Sequence, residues 1–343
     1  MHLVTLGELL IDMFPAEIGR RLADVTAFHP KPGGAPANVA VAARRLGADT
    51  AFIGKVGDDA FGHFLIDVMR EQAVDITGIR VDDKARTTMA VIALPDEHTA
   101  EFVFYRNPGA DQRLRPDELD ADLLCSARAL HFGSLSLTDE PSRSTTWAAM
   151  RIAAEAGALI SFDVNYRPSL WSSLEQAFEQ ISAIIPHVHL LKVNEVEIEL
   201  LTGGQGAEVG DQKSEIRELR SGVGDLAEMA AWLLEQGPEL VVVTLGADGS
   251  YFQTATGSGF ISPFPVETVD AVGCGDAFIS GVLTQLTAVE DWRANLNAER
   301  MTEILYYGNA VGALTATKQG VIPALPTAAE VETFLKNRQV VDQ

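Results

Sequence analysis

The chain has 343 residues, of which 47% are hydrophobic, with 29 glycines and 15 prolines, and this ordinary globular composition argues against disorder. Its 26 basic and 48 acidic residues give a formal net charge of −22, and a surface this acidic disfavours nucleic acids and anionic membranes as partners. The two cysteines, Cys125 and Cys274, lie far apart in sequence, which excludes a disulfide framework or a CxxC metal site and fits a reducing cytosol.

Short apolar runs alternate with helical patterns along most of the chain. The runs that predict buried parallel strands are residues 3–6, 51–53, 129–132, 159–163, 189–193 and 240–244. Helical patterns lie between them, for example at 37–46, 61–72, 143–156 and 226–236. This repetition predicts an α/β fold, in which a doubly wound, mostly parallel sheet is flanked by helices.

Two regions, 11–31 and 87–105, interrupt this alternation. Residues 88–94 and 101–105 alternate in polarity around a polar turn, which predicts a hairpin outside the main sheet, in a small β-sheet lid. Exposed edges of such a sheet favour pairing with a second subunit, so a homodimer through the lid is a further expectation. The glycine-rich, charged stretch 203–224 is predicted to be a surface excursion with a short helix.

A glycine pair precedes the first predicted helix. Gly33 and Gly34 allow the backbone to approach a ligand closely, and Asn38 stands in the first turn of the helix that follows. An amide side chain at that point can both donate hydrogen bonds to a polyol and accept them. Asp12, close after the first strand, is a second candidate for binding hydroxyl groups. A tight turn without a ligand explains the glycine pair equally well.

Polar segments follow three later strands, where open α/β sheets bind ligands. These segments are residues 162–167, 192–197 and 244–249. In the second, Asn194 and Glu197 are three residues apart and share a face if a helix starts there. An ordinary helix start or a β-turn explains each segment without a ligand.

Residues 270–278 carry the most informative pattern. Gly273 and Gly275 leave backbone N–H groups uncovered before an apolar helical run, and such a helix N-terminus is a ready anion site. A bound phosphate would repel Asp276 at this point, unless the carboxylate takes the proton from an attacking hydroxyl group. An N-cap with a glycine turn is the alternative interpretation.

Several function classes lack their motifs. The sequence has no GxxxxGK[ST], HExxH or GxSxG motif, which disfavours P-loop enzymes, zinc proteases and serine hydrolases. The GxGxxA match at 222–227 follows a charged segment rather than a strand, which disfavours a dehydrogenase. Residues 1–7 lack a signal-peptide pattern and no apolar run approaches a membrane span, so we expect a cytoplasmic protein.

Taken together, 33–40 and 270–278 resemble the two signature segments of the ribokinase-like (PfkB) carbohydrate kinase family, most closely its fructokinases. The similarity covers about residues 3–330 and includes residues 7–12, 104–108, 133–137, 313–317 and 322–326. The resemblance implies a single ribokinase-like α/β domain over 1–343, with lid segments inserted at about 11–31 and 87–108.

The resemblance also implies transfer of the γ-phosphoryl group of ATP to the 6-hydroxyl group of fructose. Asp276 then matches the catalytic base, and the amides of Gly273, Cys274 and Gly275 match the anion hole. Residues matching the sugar site are Asp12, Gly33, Gly34 and Asn38, with Arg106 and Arg167 as local positive charge. Residues matching the nucleotide site are Asn194, Glu197, Thr244, Gly246, Gly249 and Asn309.

The resemblance to this family also implies that two cations bind. Mg²⁺ would accompany ATP, held largely by phosphates and water, and K⁺ would bind beside the anion hole, with Asp270 as its candidate ligand. Ala271 replaces the threonine that is commoner in these kinases. Cys274 stands where alanine is usual, and we expect its thiol to offer a point of oxidative or alkylating inhibition.

The acceptor is less narrowly defined than the reaction. Residues 163–167 are equally similar to 2-keto-3-deoxygluconate kinases, so that sugar acid, ribose or a nucleoside are alternative acceptors. A non-catalytic sugar sensor would keep the binding residues and lack a working base. The intact Asp276 argues against such a sensor.

Overall fold

A computed structural model describes residues 3–339, apart from 18, 94, 96–100 and 203–222. Its strands are β1 (Leu3–Leu6), β2 (Leu10–Pro15), β3 (Phe28–Gly33), β4 (Thr50–Gly57), β5 (Ile79–Asp82), β6 (Met89–Ala93), β7 (Glu101–Tyr105), β8 (Ala129–Gly133), β9 (Leu159–Asp163), β10 (Leu190–Asn194), β11 (Leu240–Thr244), β12 (Ser250–Thr254) and β13 (Gly257–Ile261). Its α-helices are α1 (Ala35–Arg45), α2 (Ala60–Glu71), α3 (Ala121–Cys125), α4 (Ser142–Glu155), α5 (Leu174–Ile184), α6 (Glu195–Thr202), α7 (Val223–Glu235), α8 (Cys274–Thr287), α9 (Ala298–Ala316), α10 (Val321–Ala324) and α11 (Ala328–Gln339).

The main sheet has the strand order β13-β12-β11-β10-β9-β8-β1-β4-β5 within the described residues. Neighbouring strands from β11 to β5 run parallel, whereas β12 and β13 add an antiparallel edge. All eight residues of β4 are buried, as expected for a strand covered on both faces. The predicted α/β class with a mostly parallel sheet is therefore confirmed. The β12–β13 edge and β5 were not predicted from the sequence pattern.

Alternation along the parallel strands divides the core into two layers. On one face, the rings of Phe132 and Phe162 stack with centroids 5.3 Å apart and pack with side chains of α4 and α5. On the other face, the side chains of Leu159 and Leu190 pack against α8 and α9. Because the side-chain period of a strand is two, Asp163 and Lys192 lie on this second face, which α8 covers.

A separate small sheet has the order β3-β2-β6-β7. The β2–β3 and β6–β7 pairs are antiparallel, and the two hairpins join through the parallel pair β2–β6. The predicted small sheet is thus confirmed, although the parallel join between its two segments was not predicted. Two predictions fall mainly outside the described residues. They are the turn after β6 and the surface excursion, of which residues 203–222 are not described.

The fold brings several element ends to one place. The N-terminal turns of α1 and α8 meet beside the carboxyl ends of β9 and β10, the edge at which open α/β sheets bind ligands. In the part of the chain that the structure describes, no helix combines the length and apolar character needed to span a bilayer.

The stacked pair in the core provides a test of this packing. Replacing Phe162, which is fully buried, by alanine leaves a cavity, and we expect the free energy of unfolding to fall by about 3–5 kcal/mol. Urea denaturation followed by circular dichroism measures this loss. Phe64→Ala is the matched control, because the Phe64 side chain is 43% exposed and its loss is expected to cost about 1 kcal/mol or less. Equal losses for the two variants would contradict the packing described.

Candidate active site

The N-terminus of α8 is shaped by a glycine in a left-handed conformation that other residues rarely adopt. Gly273 adopts φ of 81°, and a Cβ atom added to it would lie 2.3 Å from Val321 Cγ1. Helix α8 then begins at Cys274, so the N–H groups of its first turn have no partner inside the helix. The Cys274 N–H makes only a long bond of 3.4 Å to the Ala271 carbonyl. Gly275 follows in the same turn, and the arrangement suits an anion.

The carboxylate of Asp270 shapes the loop that leads into this turn. Its Oδ1 accepts the Val272 N–H at 3.0 Å, and its Oδ2 accepts the Gly320 N–H at 2.9 Å. Each oxygen has lone pairs beyond these bonds, so the side chain is compatible with a monovalent cation. The role of Asp270 in binding K⁺ stays a prediction.

The two signature segments meet through one hydrogen bond. Asn38 in the first turns of α1 donates from Nδ2 to Asp276 Oδ2 at 2.8 Å, across 238 positions of sequence. Burial raises the pKa of Asp276 to about 6, although the Asn38 hydrogen bond opposes the rise. Asn38 Oδ1 is buried without a hydrogen-bond partner among the residues that the structure describes. A buried acceptor of this kind is satisfied when a ligand hydroxyl donates to it.

Asp12 of β2 lies against the glycine pair. Its Oδ2 is 2.0 Å from the position that a Gly33 Cβ atom would take, so only glycine leaves room for this carboxylate. Gly34 adopts φ of 109°, and its Cβ atom would lie 2.3 Å from the Glu8 carbonyl oxygen. Burial raises the pKa of Asp12 to about 7, and the nearby charges of Asp276 and Glu8 add to the rise. The structure therefore brings the predicted sugar-site residues together.

The two predicted arginines have different surroundings. The positive charge of Arg167, in the loop after β9, opposes the rise in the pKa of both Asp12 and Asp276, so it lies near both carboxylates. Arg106 is buried beside the small sheet and donates from Nε to Asp111 at 2.6 Å. Its Nη1 and Nη2 donate to Thr138 Oγ1 and the Leu135 carbonyl at 2.9 and 3.0 Å. A ligand-binding role for Arg106 stays a prediction.

Asn194 and Glu197 form a capping box at the start of α6. Asn194 Oδ1 accepts the Glu197 N–H at 2.9 Å, and Glu197 Oε2 accepts the Asn194 N–H at 2.9 Å. Glu197 Oε1 also accepts the Tyr166 N–H at 2.8 Å. Both side chains are thus engaged with backbone groups that shape this end of the sheet. Their contact with a nucleotide stays a prediction.

The other predicted nucleotide residues lie along the neighbouring strand ends. Thr244 is directly opposite Asn194 in the sheet register. Gly249 adopts φ of 103°, and its Cβ atom would lie 2.2 Å from the Ile261 carbonyl oxygen. Asn309 of α9 donates to that same oxygen at 3.2 Å. Gly246, with φ of 56°, begins the turn that joins β11 to β12. The structure groups these residues at one end of the sheet, and their role stays a prediction.

This region also contains a buried ion pair that was not predicted from the sequence. Lys192 Nζ donates to both carboxylate oxygens of Asp163, at 2.8 and 3.0 Å, and the two residues are register partners on β10 and β9. The lysine stands in the run His189–Val193, which was predicted to be a buried strand. A charged residue is almost never fully buried unless it is paired, so that position was the available signal.

Glu8 was also missed. Its Oε1 accepts the Ala35 N–H at 3.0 Å, which holds the first residue of α1 beside the glycine pair. Burial raises the pKa of Glu8 to about 7. Across the described ranges, no group of three or more His, Cys, Asp and Glu side chains is arranged to hold a metal ion.

The surroundings of Cys274 do not support the expected susceptibility of its thiol to alkylation. Burial and the charges of Asp270 and Asp276 raise the pKa of Cys274 to about 12. The thiolate is the reactive form, and a raised pKa leaves little of it at neutral pH. The two nearby carboxylates, which the position of the cysteine in the sequence does not reveal, argue against alkylation of Cys274, and its oxidative or alkylating inhibition stays a prediction.

The sequence is similar to known proteins over nearly its whole length. The family model described as pfkB family carbohydrate kinase matches residues 1–328. Probable fructokinase-2 of Arabidopsis thaliana is 44% identical over 333 residues, which cover 97% of this chain and 95% of that protein. Fructokinase-2 of Solanum lycopersicum is 42% identical over 334 residues, covering 97% of this chain and 96% of that protein.

Solved structures show the same similarity. Fructokinase with bound ATP from Xylella fastidiosa has a TM-score of 0.82 at 31% identity, covering 98% of this chain and 99% of that chain. A fructokinase double mutant from Vibrio cholerae O395, bound to fructose, ADP and a potassium ion, has a TM-score of 0.81 at 31% identity, with 98% of both chains covered. Aminoimidazole riboside kinase from Salmonella enterica, bound to aminoimidazole riboside and an ATP analogue, has a TM-score of 0.77 at 29% identity, covering 98% of this chain and 99% of that chain.

The two cysteines allow a direct test of the electrostatics at α8. We expect iodoacetamide at pH 8 to modify Cys274 at least about 100-fold more slowly than Cys125, because little of the Cys274 thiol is ionised. Cys125 is exposed and serves as the control within the same molecule. Peptide mass mapping over time measures both rates. Comparable rates at the two sites would contradict the environment described for α8.

Proposed function

The chain belongs to the pfkB family of carbohydrate kinases and is an ATP-dependent sugar kinase, and we propose that its acceptor is fructose, phosphorylated at the 6-hydroxyl group. The observation that carries the proposal is the contact between Asn38 and Asp276, because it joins the predicted sugar site to the predicted base. The two residues belong to different signature segments.

The charge of the sugar site favours a neutral acceptor. Asp12, Asn38 and Asp276 provide carboxylate and amide groups that suit hydroxyls, whereas the carboxylate of 2-keto-3-deoxygluconate would meet two acidic side chains. Arg167 lies near both carboxylates, and Lys192 is a second cation near Asp276. A sugar acid is therefore the second candidate, and a nucleoside is the third because of the similarity to aminoimidazole riboside kinase. A non-catalytic sugar sensor is disfavoured by the buried, hydrogen-bonded Asp276.

In the proposed reaction, Asp276 accepts the proton of the acceptor hydroxyl group while the hydroxyl oxygen attacks the γ-phosphorus of ATP. The bond between the γ-phosphorus and the β–γ bridging oxygen breaks, and ADP leaves. A pKa of about 6 leaves this carboxylate ionised at neutral pH while it remains a useful base. The amides of Gly273, Cys274 and Gly275 stabilise the charge of the transferring group, assisted by the positive end of the α8 dipole. Positioning and electrostatics are the main contributions that phosphoryl transfer requires of a protein.

We propose that the nucleotide and its cations bind next to the sugar site. The strand ends that carry Asn194 and Thr244, together with Gly246, Gly249 and Asn309, would contact ATP. Mg²⁺ would be held mainly by phosphate oxygens and water, as its high dehydration cost favours. K⁺ would lie near Asp270, whose carboxylate already orders the loop before α8.

We extend the proposal to the organisation of the protein. Residues 1–343 form one domain in which the small sheet acts as a lid over the sugar, and the protein acts in the cytoplasm. A homodimer forms through the lid, because β7 is an edge strand whose Val103 and Tyr105 are exposed apolar side chains.

Asp276→Asn tests the proposed base. We expect turnover with fructose and ATP to fall roughly 10²–10⁴-fold, because the amide cannot accept the proton, while ATP binding remains. A coupled ADP-release assay measures turnover, and calorimetry measures ATP binding. Asp117→Asn, at an exposed position, is the charge-matched control and should retain wild-type turnover. Wild-type turnover in Asp276→Asn would rule out the mechanism.

The pH dependence follows from the raised pKa of Asp276. A base with a pKa of about 6 is active when deprotonated, so kcat/KM should be constant above pH 7 and should fall tenfold per unit below about pH 6. Initial rates in a constant-ionic-strength buffer series provide the profile. An acid limb near pH 4 would contradict the burial of this carboxylate.

A panel of acceptors decides the substrate. With saturating ATP, we expect kcat/KM for fructose to exceed that for 2-keto-3-deoxygluconate, ribose and aminoimidazole riboside by at least about 100-fold, because a site built to hydrogen-bond a particular set of hydroxyls rejects ligands that leave its polar groups unpaired. Product identity is read by mass spectrometry. A preference for the sugar acid would replace fructose by the second candidate and leave the kinase assignment intact.

A further inference from the structure

The Asp163–Lys192 ion pair lies directly beneath the first turn of α8. A Cβ atom added to Gly275 would be 3.5 Å from Lys192 Nζ and 3.8 Å from its Cε, so the ammonium group lies close to the anion-hole backbone. Both side chains of the pair are buried, with side-chain exposures of 7% and 5%. The pair is on the sheet face that α8 covers, and its register fixes both partners.

Stability alone does not explain a buried ion pair at this place. Removing two charges from water costs about as much as their attraction returns, so such a pair adds little net stability compared with apolar residues. Much of the same face is filled by apolar side chains, for example Leu190 of β10 and Val242 of β11, although His131 and Ser161 are also buried there. The position of the pair, next to the base and the anion hole, is what distinguishes it from the rest of this layer.

Charged or titratable groups approach Asp276 from each element that surrounds it. These are Asp163 of β9, Lys192 of β10, Arg167 of the loop after β9, Asp12 of β2 and Cys274 of its own helix, with the neutral Asn38 of α1 donating a hydrogen bond. Glu197 of α6 and the buried His131 of β8 lie near Lys192 as well. Although burial opposes it, the charges of Asp163, Glu197 and Asp276 raise the pKa of Lys192, so its ammonium group stays protonated.

We propose that the Asp163–Lys192 pair sets the electrostatic potential at the phosphoryl-transfer site, with Lys192 as a positioning residue that places a fixed positive charge beneath the anion hole and Asp163 holding it there. The inference rests on the proposed kinase function. In the free enzyme the ammonium group stabilises the ionised form of Asp276. During transfer the same charge offsets the negative charge that develops near the amide of Gly275.

Opposite changes in charge then have opposite effects on the base. Removing the positive charge destabilises ionised Asp276, so its pKa rises and the acid limb of kcat/KM moves to higher pH. Removing the negative charge of Asp163 stabilises ionised Asp276, so the acid limb moves to lower pH. A purely structural role for the pair predicts no such difference in sign between the two variants.

The experiment measures pH profiles of kcat/KM with fructose and ATP for three variants. We expect Lys192→Met to move the acid limb up by about one pH unit, and Asp163→Asn to move it down by a similar amount. The double variant Asp163→Asn/Lys192→Met should lie between them. On the alkaline plateau, Lys192→Met should also lose roughly tenfold or more in kcat, because the anion hole loses its fixed charge.

A second buried lysine provides the matched control. Lys55 of β4 is buried and donates to Glu118 at 2.8 Å, in an ion pair that includes no site residue. Lys55→Met should lower the thermal unfolding temperature without moving the acid limb. Thermal unfolding and ATP binding are measured for each variant. If Lys192→Met does not fold, the direction in which the acid limb of kcat/KM moves in Asp163→Asn tests the proposal.

The outcomes separate this inference from the function on which it rests. The inference would be overturned if the wild-type enzyme is active but the acid limb of both single variants stays at the wild-type pH or moves in the same direction. The kinase function would be unaffected by that result. A wild-type protein that phosphorylates none of the acceptors in the panel would overturn both.

Discussion

The balance of buried charge at the first turn of α8 is the constraint on which the site depends. Three carboxylates, those of Asp12, Asp163 and Asp276, are brought to one edge of the sheet, where desolvation penalises their ionised forms. Lys192 neutralises one of them directly, and the pKa values of the other two rise to about 7 and about 6. Pairing with Lys192 and the raised pKa values of Asp12 and Asp276 thus limit the negative charge that is buried at the site. Carboxylates with raised pKa values are well placed for proton transfer near neutral pH.

Local sequence patterns predicted the architecture well because the determinants are local. Runs of buried β-branched residues marked the parallel strands, and glycines with uncovered amides marked the start of α8. The parallel pairing of β2 with β6 and the β12–β13 edge were not predicted, because they depend on the order of the strands in space. The same reason hid the Asp163–Lys192 pair, whose members are 29 positions apart and become neighbours only through the register of β9 and β10.

Several residues assigned to ligands also have an architectural role. Asn194 and Glu197 cap α6, and Arg106 ties the end of the small sheet to the segment after β8. The capping box has a recognisable sequence signature, a short polar residue followed three positions later by Glu, so its structural role was visible in the sequence. The surroundings of Arg106 were not visible in the sequence, because tertiary packing brings its partners Asp111 and Thr138 to it. These hydrogen bonds fix the guanidinium group of Arg106 in one position.

The acidity of the chain raises the question of how it attracts a polyanionic nucleotide. A net charge of −22 acts over the whole surface, yet at physiological ionic strength charges more than about 8 Å apart are largely screened. Near the anion hole, the closest contributions are the backbone amides, the helix dipole and the cations Lys192 and Arg167. The backbone N–H groups at the start of α8 do not depend on the side chain at position 274, so a cysteine can occupy this position without removing them. The local potential at a helix terminus can therefore differ in sign from the net charge of the chain.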